Sequence, residues 1–115
     1  MSASTQSLIL LELPEADEAK LNKLLYEVAL FNFSQFLIRD FELQKMPVWQ
    51  EGCALRITGF ESLDETAWYL GLVAKNEDLS RFIGKEKITS LCITDENYQL
   101  IPKLGLEEYK TFINQ

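Results

Sequence analysis

The sequence lacks histidine altogether, and this absence removes the commonest general base from its 115 residues. Ser-His-Asp and Cys-His catalytic arrangements are therefore excluded. The five glycines stand singly, and none belongs to a Walker loop or to a GxGxxG fingerprint after a strand. Acidic pairs such as Asp64-Glu65 stand at predicted helix starts, where carboxylates stabilise the helix dipole. We therefore predict that the chain is not an enzyme and binds no cofactor.

Basic residues are also few. Eleven Lys and Arg stand against 18 Asp and Glu, which gives a net charge of −7. Binding to nucleic acid or to an anionic membrane surface requires clustered basic residues, so we expect neither as a partner. The longest apolar run, residues 8–13, is interrupted by Glu12 and is too short to cross a bilayer, so no direct membrane insertion is expected. A complete chain with no signal peptide would be cytoplasmic.

Neither repeats nor a linker divide the chain. Its length suits one domain with one core, and its 47% hydrophobic and 25% charged residues are typical of a folded protein. We predict a single domain over residues 1–115, which is either a whole protein or a piece excised from a longer one.

The spacing of apolar residues predicts the order strand, helix, strand, strand, helix, strand and a short closing helix. Strands are predicted over residues 7–13, 38–48, 53–58 and 87–94, and helices over about 16–33, from 63 onward and over 106–113. The first strand is nearly continuous in apolar residues, so we expect it in the centre of the sheet. This order fits an α+β ferredoxin-like βαββαβ two-layer sandwich, with an antiparallel four-stranded sheet and two helices on one face.

The same spacing predicts which side chains face the core. The first helix is expected to end in core aromatics, which are Phe31, Phe33 and Phe36. After a capping box of Ser62 and Glu65, the second helix is expected to pack through a stripe of mostly small residues. That stripe comprises Leu63, Ala67, Leu70, Gly71 and Ala74.

The two cysteines, Cys53 and Cys92, are too few for zinc without histidine, so no metal site is expected. In the usual 4-1-3-2 strand order of this sandwich they would lie two strand spacings apart, about 9–10 Å, which exceeds the reach of a disulfide. Cys92 alternates away from Leu91 and Ile93, so we further expect the two thiols on opposite faces of the sheet. Both are predicted to be free.

The best candidates for function are residues of a protein interface. Trp49 lies beside a turn at a predicted sheet edge, where an exposed aromatic residue suits an interface anchor. Glu42, Gln44, Arg56 and Thr58 alternate with inward-facing residues, so they are expected on the helix-free face of the sheet. Such faces, and edge strands, are common pairing surfaces.

Phe41 completes this set, although alternation also turns it inward with Leu43. An exposed apolar patch around Trp49 and Phe41 would favour a protein-interaction domain. A buried charged residue facing a cleft, with Arg56 as the candidate, would favour a small-ligand regulatory module that acts as a dimer. The expected partner is another protein or the missing domains of this chain, and pairing through the sheet face would give a homodimer.

Three passages together resemble a known family. They are FNFSQF at 31–36, ITGF at 57–60 followed by Ala67 and Tyr69, and ITDENY at 93–98 followed by YKTF at 109–112. In order and spacing they resemble the C-terminal domain of Bacteroidota periplasmic tetratricopeptide-repeat lipoproteins associated with gliding motility and type IX secretion. The resemblance implies a periplasmic interaction or scaffolding domain in a cell-envelope assembly. It transfers no catalytic residue to this chain.

Overall fold

The described part of the chain contains four strands and four helices. The computed structural model describes residues 6–36 and 39–100. Its elements are β1 (Ser7–Leu13), α1 (Glu18–Gln35), β2 (Glu42–Trp49), β3 (Gly52–Phe60), α2 (Leu63–Lys75), α3 (Glu77–Lys85), β4 (Thr89–Thr94) and α4 (Asp95–Tyr98). The predicted α+β order is confirmed, whereas the helix predicted over 106–113 lies outside the described residues.

The sheet has the strand order β2-β3-β1-β4, and all neighbouring strands pair antiparallel. This is the order of a ferredoxin-like sandwich, and it confirms the central position of β1. Helices α1, α2 and α3 pack on one face, over a core that contains Ile9, Leu11 and Leu13 of β1. Each large apolar side chain buried there stabilises the fold by about 1.5–3 kcal/mol.

An aromatic cluster closes the core at one end of the sheet. Phe31, Phe41, Phe60 and Tyr69 make edge-on or stacked contacts with ring centroids 4.6–5.5 Å apart. The Tyr69 hydroxyl donates a hydrogen bond to Asn32 Oδ1 of α1, so the one polar group of the cluster is satisfied.

The prediction for the end of α1 was partly wrong. Phe31 is buried and Phe36 packs against the core, but the Phe33 side chain is 77% exposed. Helix α1 runs to Gln35, so Phe33 lies on its outer face, two positions after the inward-facing Phe31. Strand β2 begins only at Glu42, later than predicted.

Helix α2 packs through a different face from the predicted one. Its buried residues are Thr66, Tyr69 and Val73, while most of the small-residue stripe is exposed: Leu63, Ala67, Gly71 and Ala74. Thr66 can be buried because its hydroxyl donates to the Leu63 carbonyl at 2.6 Å, as Tyr69 can because it bonds to Asn32. Larger side chains with satisfied polar groups bury more apolar area than alanine and glycine do.

The capping box at the start of α2 is confirmed with one shift. Ser62 Oγ accepts a hydrogen bond from the Glu65 amide at 3.2 Å, as predicted, but the Glu65 carboxylate accepts from the Glu61 amide at 3.0 Å. Asn76 ends α2 and caps α3, where its side chain accepts from the Leu79 amide.

Both cysteines are free and β1 separates their strands, as predicted, but the expectation that the two thiols lie on opposite faces of the sheet was wrong. Cys53 and Cys92 face the same side of the sheet, since both pack with the helix-side core. Cys53 is paired with Leu13 and Cys92 with Ile9, four residues apart along β1. That offset adds about 13 Å along the strands to the two strand spacings between them. No disulfide can span this distance.

Candidate protein interface

Three rows of side chains cross the helix-free face of the sheet. From β2 to β4 they are Glu42-Thr58-Leu8-Ile93, Gln44-Arg56-Leu10-Leu91 and Met46-Ala54-Glu12-Thr89. The strand register thus brings together four of the six predicted interface residues, which are Glu42, Gln44, Arg56 and Thr58. They form one polar corner over β2 and β3.

Much of the rest of this face is apolar. Leu8, Leu10 and Ile93 are at most 2% exposed and form a second, smaller cluster with Met46, Trp49, Leu91 and Tyr98. Strand β1 is apolar on both faces, so its second face also has to be shielded from water.

Trp49 is half-buried in this second cluster rather than exposed as a free anchor. Its indole N–H donates to Glu12 Oε2 at 2.6 Å, and its ring stacks on Tyr98 with centroids 6.5 Å apart. The β2–β3 turn beside it is tight: Gln50 has φ 57°, and a Cβ on Gly52 would lie 1.9 Å from the Leu13 carbonyl oxygen. Trp49 is therefore held over the sheet by the turn and by Glu12.

Arg56 lies in the centre of the middle row and lacks an anionic partner. Its guanidinium carbon lies 5.3 Å from the Tyr98 ring centroid, in cation–π range. Its Nε is buried and has no hydrogen-bond partner, and no carboxylate of the described residues forms an ion pair with it. A buried donor without a partner lowers the free energy of unfolding by about 1–3 kcal/mol. The Arg56 side chain therefore has a hydrogen-bond donor that no described residue uses.

Some of the other cations are paired within the described residues. Lys20 contacts Glu15 and Glu86, and Arg81 contacts Glu77 and Asp78. Carboxylates are abundant in this acidic chain, so an unpaired arginine reflects its location and not a shortage of anions. On the helix-free face the neighbouring Glu12 is already occupied by Trp49 and Thr89.

Phe41, the remaining predicted interface residue, lies on the opposite side of the sheet. It is 6% exposed and packs in the helix-side aromatic cluster, so it adds no surface to the candidate interface. Phe41 faces the core, as strand alternation predicted.

Arg39 was not singled out from the sequence. It makes a two-pronged contact with Glu65 at 2.8 and 3.0 Å, donates to the Gly59 carbonyl, and covers the Phe41 ring. The Arg39 guanidinium holds the pKa of the Glu65 carboxyl below its usual value, and the carboxylate raises the pKa of Arg39 in turn. The partners are 26 residues apart, a separation that no local pattern indicates.

Several large apolar residues are exposed on the helix side of the protein. On α1, Tyr26, Leu30 and Phe33 follow the i, i+4, i+7 spacing of a second apolar stripe. The other exposed large apolar residues are Val48 on β2 and Leu63 and Trp68 on α2. Exposed apolar area on this scale is a feature of interaction surfaces.

Cavities also occur on the helix side. One of about 330 Å³ lies between α1 and the start of β2, and one of about 230 Å³ lies between α2, α3 and β4. Neither contains a cluster of metal-ligating groups, since residues 6–36 and 39–100 hold no group of three or more His, Cys, Asp or Glu side chains suited to a metal. No helix in the described part of the chain is long and apolar enough to cross a membrane.

The described residues form an α+β sandwich, and Arg56 has no ion-pair partner among them on the face of the sheet opposite α1, α2 and α3. No protein-family model, no curated protein and no solved structure matches the chain.

Proposed function

We propose that this domain is a non-enzymatic interaction module that binds a protein partner through the corner of the helix-free face around Arg56. The observation that carries this proposal is the buried Arg56 Nε, which has no hydrogen-bond partner. A carboxylate of the partner would form a charge-assisted pair with the half-buried guanidinium to which this nitrogen belongs.

The surroundings of Arg56 support a protein partner of this kind. Gln44 and Glu42 beside it are exposed, and Thr58 is half-exposed, so a polar rim adjoins the half-buried Trp49 and Tyr98. Arginine and aromatic residues at the centre with polar residues at the rim are the composition of protein interfaces.

The biological setting is proposed on the resemblance alone. The passages at 31–36, 57–60 and 93–98 point to a scaffolding role in a bacterial envelope assembly for secretion or gliding, with a periplasmic location. The partner would then be another protein of that assembly or a further domain of the same chain.

The second candidate is a small-ligand regulatory module that acts as a dimer. Arg56 favours it as well, because a half-buried guanidinium could bind a small carboxylate or phosphate as readily as a protein side chain. The first candidate binds a protein and the second binds a small molecule, so binding experiments with each kind of ligand distinguish them.

The test compares wild type with Arg56→Gln, and uses Lys75→Gln as the control. Lys75 is exposed at the end of α2, far from the helix-free face, and its substitution removes the same charge. Each variant is cross-linked in cells that produce the chain, and any protein captured by wild type is purified and titrated against all three by calorimetry.

We expect wild type and Lys75→Gln to bind such a protein equally and Arg56→Gln to bind about tenfold or more weakly, the range for a partner of a buried charge pair. Equal binding by Arg56→Gln would contradict the proposal. Titration of wild type with citrate and inorganic phosphate, followed by Trp49 fluorescence, tests the second candidate, which requires a response that Arg56→Gln lacks.

A further inference from the structure

The two edges of the sheet differ in their protection against pairing. Edge strand β2 carries Lys45 and Pro47, and its register with β3 shifts between Met46 and Trp49. Lysine, proline and irregular register are the devices that keep an edge strand from pairing with another chain.

Edge strand β4 has none of these devices. Its six residues, Thr89–Thr94, include no proline and no charged side chain, and they pair with β1 without a register shift. Within residues 6–36 and 39–100, no backbone hydrogen bond reaches the outer edge of β4. The outward-facing donors and acceptors of this strand, which are unpaired among the described residues, can pair with a further strand.

Charges of opposite sign flank the two ends of β4. Lys85 and Lys87 precede the strand, and Asp95 and Glu96 follow it. None of these four side chains forms an ion pair within the described part of the chain. A second copy of the same strand, laid antiparallel, brings the basic end of each copy to the acidic end of the other.

The alternation of side chains limits the register of such a pair. Residues directly opposite in an antiparallel pair point to the same face, so even-numbered residues of one copy must face even-numbered residues of the other. With Leu91 opposite its own counterpart, Ser90 faces Cys92 of the second copy. The end of the strand that follows Lys87, a turn residue with φ 56°, then comes near the end that precedes Asp95, the first residue of α4. This register satisfies both the alternation and the charges at the two ends.

We propose that two copies of this chain pair through β4, antiparallel and with Leu91 on the two-fold axis, to form one eight-stranded sheet. The inference goes beyond the Arg56 interface, because it uses the edge of the sheet and requires no partner at Arg56.

The helix layer leaves room for the second copy. Exposed residues of α2 are small at Ala67, Gly71 and Ala74, and Ala74 lines the cavity of about 230 Å³ whose wall also includes Ser90 of β4. Small residues let two helix layers approach closely across the axis. Ala74, which belongs to the face predicted to contact the core, is therefore exposed beside β4.

The first test measures molar mass by light scattering across a hundredfold concentration range. We expect wild type to approach twice 13.3 kDa as the concentration rises. Ser90→Lys places a charge on the neutral edge and should leave a monomer, whereas Gln44→Lys, on the exposed β2 strand, should leave the dimer intact. A monomer at every concentration for wild type would overturn the proposal.

Charge exchange tests the orientation. Lys87→Glu and Asp95→Lys should each weaken dimerisation by about tenfold or more, because each substitution acts twice in a symmetric pair. The double variant Lys87→Glu/Asp95→Lys should recover wild-type dimerisation. Circular dichroism confirms that each variant is folded, and a double variant as weak as the single variants would contradict the antiparallel pairing.

Cross-linking tests the register. Ser90→Cys should form a covalent dimer on mild oxidation, because the new thiol faces native Cys92 of the second copy at a separation that suits a disulfide. Wild type and Ser90→Cys/Cys92→Ser should remain uncross-linked. Equal cross-linking of all three would overturn the register, and it would leave the proposed Arg56 interface unaffected.

Discussion

The indole N–H of Trp49 bonds to the Glu12 carboxylate across 37 residues of sequence and ties the β2–β3 hairpin to the central strand. Glu12 is the one polar residue in β1 after Ser7, and it interrupts an otherwise apolar strand. Its carboxylate receives both Trp49 and the Thr89 hydroxyl, so three strands meet at this side chain.

Trp49→Phe should lower the free energy of unfolding by about 1.5 kcal/mol, since a hydrogen bond to a charged group contributes about 1.5–3 kcal/mol. Chemical denaturation measures the change. Trp68→Phe is the matched control, because Trp68 is 48% exposed and has no hydrogen bond among the described residues, and it should change stability little. Equal effects would mean that Trp49 acts through ring packing alone.

Arg56→Met should raise the free energy of unfolding by about 1 kcal/mol, because it removes a buried donor that has no partner and keeps an unbranched side chain over the sheet. Arg56→Lys, which keeps the charge, should not. Residues that serve binding often lower the stability of the free protein. A loss of stability in Arg56→Met would mean that the guanidinium supports the fold.

Tyr69→Phe should cost about 1 kcal/mol at neutral pH, because Asn32 loses its hydrogen-bond partner. Burial raises the pKa of Tyr69 above that of an unfolded tyrosine. Its contribution is therefore constant below pH about 10 and falls at higher pH, where only the unfolded chain ionises. Stability measured from pH 8 to 11 should fall less steeply in Tyr69→Phe than in wild type. Parallel curves would contradict this assignment.

Arg39→Gln should cost about 1 kcal/mol at neutral pH, the upper end for a partly exposed ion pair with two-pronged geometry. The pKa of Glu65 is lowered by Arg39, so the contribution is complete above the pKa of an unfolded glutamate and disappears as the pH falls through the folded pKa. The difference from wild type should therefore close in acid. Arg81→Gln, which breaks exposed contacts, should differ little from wild type at any pH.

Local sequence patterns predicted much of the fold. The apolar run of β1 predicted its central place, and the Ser62 and Glu65 spacing predicted the start of α2. Both depend on neighbours in sequence. Strand alternation also assigned Arg56 and Gln44 to the helix-free face.

Long-range contacts explain what the sequence could not predict. The buried face of α2 depends on Asn32 accepting from Tyr69, which frees the small-residue stripe to face outward. Trp49 is half-buried because Glu12 receives it, and Arg56 is unpaired because the same Glu12 is occupied. A hydropathy value is assigned to each residue separately, so it does not predict contacts between residues that are distant in sequence.

The protection of β2 sets the size of any assembly that the sheet can form. Lys45 and Pro47 protect one edge of the described sheet, so pairing through β4 uses its unprotected edge in each copy and leaves protected strands at both outer ends. Growth then stops at two chains, and a fibre cannot propagate. Replacing Lys45 and Pro47 with threonine would reopen the far edge and turn a closed pair into an open polymer.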